Sequence, residues 1–189
     1  MSPRPGRRPV RILVLFVLVA GVAACASKTA PPTTTPAPAA AAAPAAGQPP
    51  ASPPPLTGIV TRPAIESFND VWKGLRAQDY EPDPTSVATI RTNLKDVEVF
   101  AVVATWCPDT RRDLPRFFKI ADQARLPMKR VRLLAVDRSK KDPGGLTVKW
   151  NVTRVPTFIF IRQGKEIGRV VERPTTTLEK DIAAILAPK

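Results

Sequence analysis

The sequence predicts an α/β fold, a central mixed β-sheet flanked by helices, with an N-terminal helical extension. Three observations carry that expectation. Two apolar stretches, Val97 to Ala104 and Arg130 to Val136, have the composition of strands covered on both faces. Gln163-Gly164-Lys165 separates two β-type segments, Thr157–Ile161 and Glu166–Val171, as in a hairpin. Segments with helical spacing precede, separate and follow these strands, which gives the order β-α-β-α-β-β-α behind the extension.

Residues 1–24 read as a secretory address. Arg4, Arg7, Arg8 and Arg11 form a basic start, and Ile12 to Ala24 is apolar but shorter than the roughly 20 residues that span a bilayer. The stretch ends in Val22-Ala23-Ala24-Cys25, which resembles the bacterial lipobox. That resemblance implies cleavage before Cys25 and lipidation of its thiol; an ordinary secretory signal with a small-residue cleavage site is the alternative. Two or three acyl chains, at about 0.8 kcal/mol per buried methylene, anchor a protein essentially permanently. Ala26 rather than Asp follows the cysteine, so an outer-membrane position facing the periplasm is expected.

Residues 25–56 form an Ala/Pro/Thr-rich linker carrying ten of the chain's 23 prolines. With little charge and no period it buries no core, so it should stay extended and disordered. At about 3.1 Å per residue where polyproline-like, it reaches on the order of 90 Å. Residues 57–189 have the length of one domain. Arg62 to Gln78 places Ile65, Phe68, Trp72 and Leu75 on one helical stripe. Asp83-Pro84 starts a second helix carrying Val87, Ile90 and Leu94. A third runs from Cys107 through Leu114, Phe117, Ile120 and Ala124 despite Pro115. Gly144-Gly145 to Asn151 suggests a short helix. Thr176-Thr177-Leu178-Glu179 reads as a capping box opening a last helix with Ile182 and Ile185. Trp72, Trp150 and the phenylalanines are expected in the core.

The chemistry concentrates in Trp106-Cys107-Pro108-Asp109-Thr110 and Val155-Pro156-Thr157-Phe158. Cys107 stands where a strand ends and a helix begins, and there the free N–H groups and the helix dipole favour a thiolate. Together the two segments resemble the thioredoxin superfamily, whose active site is Trp-Cys-x-x-Cys facing a cis-proline loop. Pro115 matches the proline that kinks the active-site helix in that family, and Gly168 matches a glycine usual in its last hairpin. The resemblance covers roughly residues 97 to 186 and is nearer to bacterial single-cysteine proteins of the Trp-Cys-x-Asp-Ser/Thr type. It implies a thioredoxin-like fold, Cys107 and Thr110 as catalytic positions, and Trp106, Pro108, Val155 and Pro156 bordering the substrate groove.

Two departures bear on mechanism. Thr110 replaces the second cysteine, so it cannot clear a mixed disulfide, although its hydroxyl is placed to stabilise a Cys107 thiolate. Ala101 replaces the buried acid that assists the second thiol in the family. Arg111 and Arg112 add positive potential at the site, and Asp109 opposes it. These features fit monothiol thiol-disulfide exchange through an accessible Cys107, with exported proteins or small thiols as partners. The alternative is a binding or chaperone-like module without turnover, which ranks second because the thiol and its groove persist while only the resolving half is absent. A one-cysteine peroxidase ranks last, because the Pro-x-x-x-Thr-x-x-Cys arrangement is missing.

The formal net charge is +13, with Lys129-Arg130, Arg132 and Arg138 to Lys141 as local clusters. A solvated basic face is the plainer reading, an anionic docking surface the sharper one. Nucleic acid is not an expected partner of an exported lipoprotein. The sequence contains no histidine, which excludes His-based dyads and His-ligated metal or haem; two distant cysteines make neither a structural disulfide nor a zinc site. No metal and no cofactor is expected.

Overall fold

The computed structural model describes residues 53–75, 77 and 79–188. The 1–24 signal, Cys25 and the linker up to residue 52 lie outside the described residues. The elements are β1 (Gly58–Val60), α1 (Arg62–Glu66), α2 (Asp70–Gly74), α3 (Pro84–Thr92), β2 (Val97–Val103), α4 (Pro108–Ala124), β3 (Val131–Ala135), α5 (Leu146–Lys149), β4 (Thr157–Arg162), β5 (Lys165–Val171) and α6 (Leu178–Leu186). They build a thioredoxin fold around a five-stranded mixed sheet in the order β1-β3-β2-β4-β5. Only β2 and β3 run parallel, and α4 provides the crossover that a parallel pair requires. The other pairs are antiparallel.

The pleat divides the core. Val97, Val99, Ala101 and Val103 of β2, with Leu133, Phe158 and Phe160, face α3, α4 and α6. Phe100, Val102, Leu134, Ile159 and Ile161 point the other way, toward Cys107, Val152, Val155 and the partly buried Trp106, Leu146 and Trp150. Phe117 stacks on Phe158 with centroids 4.9 Å apart, which joins α4 to the middle of the sheet. Trp72 is buried as expected, whereas Trp150 is half-buried, its ring 5.9 Å from Phe100. Among the described residues no helix is long and apolar enough to cross a membrane.

Three local expectations change. The helix predicted over Arg62 to Gln78 is broken into α1 and α2. Ser67 closes α1 by bonding back to Pro63 and Ile65, and the Asn69 side chain caps a fresh start by accepting from the Trp72 N–H at 3.0 Å. Ile65 and Trp72 are still buried on one side, so the apolar stripe survives the break. The capping box does not form: the cap is Thr177, whose side chain accepts no bond from a helix N–H, and the Asp181 carboxylate accepts from the Thr175 and Thr176 N–H groups instead. Glu179 is drawn to Tyr80 and Thr177. The third change is β1, too short for a periodicity signal, which adds to the sheet edge against β3.

Candidate functional site

β2 ends at Val103, and a turn leads into α4 with Cys107 at the cap position (φ −84°, ψ 126°) and Pro108 in the first turn. Proline fits there because that N–H has no helical partner. Two bonds hold the turn: the Cys107 N–H donates to the Ala104 carbonyl at 3.1 Å, and the Ala104 N–H donates to the Thr110 hydroxyl at 3.3 Å. Thr110 is wholly buried. Its hydroxyl was expected to stabilise the Cys107 thiolate; it instead accepts from the backbone N–H that β2 leaves unpaired.

The Cys107 thiol donates to the Val155 carbonyl at 3.4 Å, and the Val155–Pro156 peptide is cis, as the sequence resemblance implied. The loop is fixed on both sides: Thr157 Oγ1 donates to the Arg154 carbonyl at 2.7 Å, and the Glu172 N–H donates to the Pro156 carbonyl at 2.7 Å. Trp106, Cys107 and Val155 share one apolar cluster. The fold thus brings Trp106, Cys107, Pro108, Thr110, Val155 and Pro156 to one end of the sheet. The expected accessible thiol is corrected: Cys107 is only 6% exposed, covered by the loop to which it donates.

The charges differ from the sequence expectation too. Arg112 does not project free positive potential. It donates to both oxygens of the buried Asp113 at 2.8 and 2.6 Å and to Asp109 at 2.6 Å. Those bonds, Asp113 first, push its already high pKa further up. Asp109 also meets Arg173 at 3.5 Å. Ala101 is fully buried between Leu133 and Phe158, where the family's acid would stand.

Sequence reasoning missed three contributors. Trp72 donates its Nε1–H to the Thr105 carbonyl at 3.1 Å, and the Leu56 N–H meets the Thr105 hydroxyl at 3.4 Å, so the N-terminal extension clamps the turn carrying Cys107. Arg138 lies over the Trp106 ring at 5.1 Å, while Trp106 Nε1 donates to the Val136 carbonyl at 3.1 Å. None of these pairings has a local signal, because each joins segments at least 30 residues apart.

The sequence model of the thioredoxin family matches residues 87–184. The chain belongs to the thioredoxin family. It is similar to a TPR repeat-containing thioredoxin of Arabidopsis thaliana, 40% identical over 80 residues, which are 42% of this chain and 20% of that protein. Thioredoxin H-type 1 of Nicotiana tabacum is 33% identical over 50% of this chain and 70% of its own length. Among solved structures, mitochondrial thioredoxin 3 of Saccharomyces cerevisiae in its oxidised form is 28% identical over 50% of this chain and 82% of that one, with a TM-score of 0.35. The match spans only 20% and 27% of the two repeat-containing plant relatives, from Arabidopsis thaliana and Oryza sativa. The clamp formed by Leu56 and Trp72 precedes the residues that the family model matches.

Proposed function

We propose that this thioredoxin-family protein is a single-cysteine, lipid-anchored extracytoplasmic member that exchanges disulfides through Cys107. Residues 1–24 serve as the lipoprotein signal, 25–56 as lipidated Cys25 and spacer, and 57–189 as the thioredoxin-like domain facing the periplasm from the outer membrane. The observation that carries the redox reading is the placement of Cys107 at the start of α4, its thiol on the Val155 carbonyl beside the cis-proline. Trp106, Pro108, Val155 and Pro156 border the groove, and Thr110 braces the turn.

The chemistry is two exchanges. Cys107, having given its proton to water, attacks one sulfur of a target disulfide; a new S–S bond forms, the old one breaks, and the leaving thiolate takes up a proton. A low-molecular-weight thiol then attacks the target's sulfur in the mixed disulfide and releases the Cys107 thiolate. The external thiol supplies the step for which Thr110 has no sulfur.

Incubating the full chain with hydroxyethyl disulfide should add half of the reagent to the peptide carrying Cys107, and glutathione should remove it. Insulin reduction driven by thioredoxin reductase should show no turnover, and Thr110→Cys should recover part of it. Cys25→Ser should release the protein from the membrane fraction or block signal processing; unchanged fractionation and processing refute the anchor. The 6% exposure of Cys107 favours a second reading, a binding module built on the same groove. Absence of any adduct, with full biological activity in Cys107→Ala, selects that reading.

A further inference from the structure

We infer that the cleft between the N-terminal extension and the Trp106 turn is a carboxylate subsite, directing Cys107 toward small disulfides that carry a carboxylate a few bonds from the sulfur. This rests on the redox reading of Cys107. The cleft holds about 260 Å³ and is walled by Pro55 and Trp72 of the extension, Thr105 and Trp106 of the turn, Arg111 of α4 and Arg138 of the loop after β3. Thr105 and Trp106 immediately precede Cys107, and Arg111 lies one helical turn beyond it. A ligand here therefore sits against the turn that carries Cys107, although the thiol itself points to the Val155 carbonyl and does not line the cleft.

Both guanidinium groups lack a compensating carboxylate among the described residues. The Arg111 Nε is shielded from water and has no hydrogen-bond partner among the described residues, an arrangement that costs free energy. Arg138 stacks on the Trp106 ring and makes no ion pair among the described residues. The acids that flank the lining residues in sequence are engaged elsewhere: Asp70 meets Lys73 and Asp113 meets Arg112. Asp109 is held by Arg112 and Arg173, and Asp137 accepts from the Ser139 N–H and hydroxyl at 2.8 and 2.6 Å. Among the described residues no carboxylate lines the cleft. A ligand carboxylate would provide the counter-charge that both guanidinium groups lack, in the charge-assisted geometry they favour. The small volume, closed on one side by the extension, suits a low-molecular-weight thiol better than a folded acidic surface.

The test uses the full chain at low salt with three disulfides: 3,3′-dithiodipropionate (anionic), hydroxyethyl disulfide (neutral) and cystamine (cationic). Rates of adduct formation at Cys107 are normalised to the neutral reagent within each variant. The wild-type chain should prefer the anionic reagent over the cationic one by at least about tenfold. Arg111→Gln/Arg138→Gln should bring that ratio close to one. Lys129→Gln/Arg132→Gln, at the far end of β3, should leave it intact. A ratio unmoved by the arginine pair, or reduced equally by the distant pair, overturns the inference in favour of general surface charge. Suberate, an isostere of dithiodipropionate without sulfur, separates the two failures. Suberate that perturbs tryptophan fluorescence in the wild-type chain but not in Arg111→Gln/Arg138→Gln supports the subsite even if no disulfide reacts, and then only the redox reading falls. No suberate response and no charge preference refute the subsite alone, provided the neutral disulfide still reacts.

Discussion

Arg112→Met should be among the most damaging single changes on the surface of α4. Asp113 is 1% exposed, and Arg112 satisfies both of its oxygens, at 2.8 and 2.6 Å. Removing one partner of a buried pair typically costs about 3–5 kcal/mol, because the other charge is left without compensation. Arg112 itself is one-third exposed and Arg116 stands 3.6 Å from Asp113, so water and that second guanidinium recover part of the loss. We therefore expect about 2–3 kcal/mol, or roughly 6–12 °C in Tm for a domain of this size. Asp113→Leu removes the buried charge, and Arg112 keeps Asp109 at 2.6 Å; its cost should be about 1 kcal/mol or less. In the Asp113→Leu background Arg112→Met should then be nearly harmless. Urea unfolding of the four chains, followed by tryptophan fluorescence with unchanged slopes, gives the coupling directly. A loss below 1 kcal/mol for Arg112→Met, or the same loss in both backgrounds, refutes the reasoning.

Further outcomes follow from other contacts. Trp72→Phe keeps most of the buried ring but removes the donor to the Thr105 carbonyl, so stability should fall by about 1–3 kcal/mol in urea unfolding. Gly168→Ala places a Cβ 2.8 Å from Ile185 Cγ2 and should cost about 1–3 kcal/mol; the cost should shrink markedly in an Ile185→Ala background, measured by the same double-mutant comparison. Burial opposes ionisation of Glu179, but hydrogen bonds from Thr177 and Tyr80 outweigh it and hold the carboxyl below its ordinary value. A lowered folded value means the contribution is complete above about pH 4.3 and is lost as pH falls through the folded value. Glu179→Gln should therefore flatten the acid side of a Tm-versus-pH curve, and an unchanged slope below pH 4.3 would count against the assignment.

The sequence by itself determined what is local and periodic. The apolar run of β2, the proline start of α3, and the hairpin turn, with Gln163 and Gly164 both at positive φ, lie where the residues indicated. So does the position of Cys107 at the start of α4, because a strand end, a proline and an amphipathic stripe follow one another within a few residues. Wherever a side chain had a choice of partners, only the tertiary structure decided. Thr110 stands one helical turn after Cys107, yet its hydroxyl serves Ala104, because β2 ends with an N–H that needs an acceptor. Arg112 was legible as a charge but not as a neutralised one, since that depended on Asp113 being buried. The helix over Arg62 to Gln78 failed because Asn69 offered a cap in mid-stripe, a short-range hydrogen bond that outcompeted a weak helical period. The clamp of Leu56 and Trp72 on Thr105, the cation over Trp106 and the cover on the Cys107 thiol all join distant segments. A linear sequence carries no signal for such pairings until the sheet fixes which loops meet at its end.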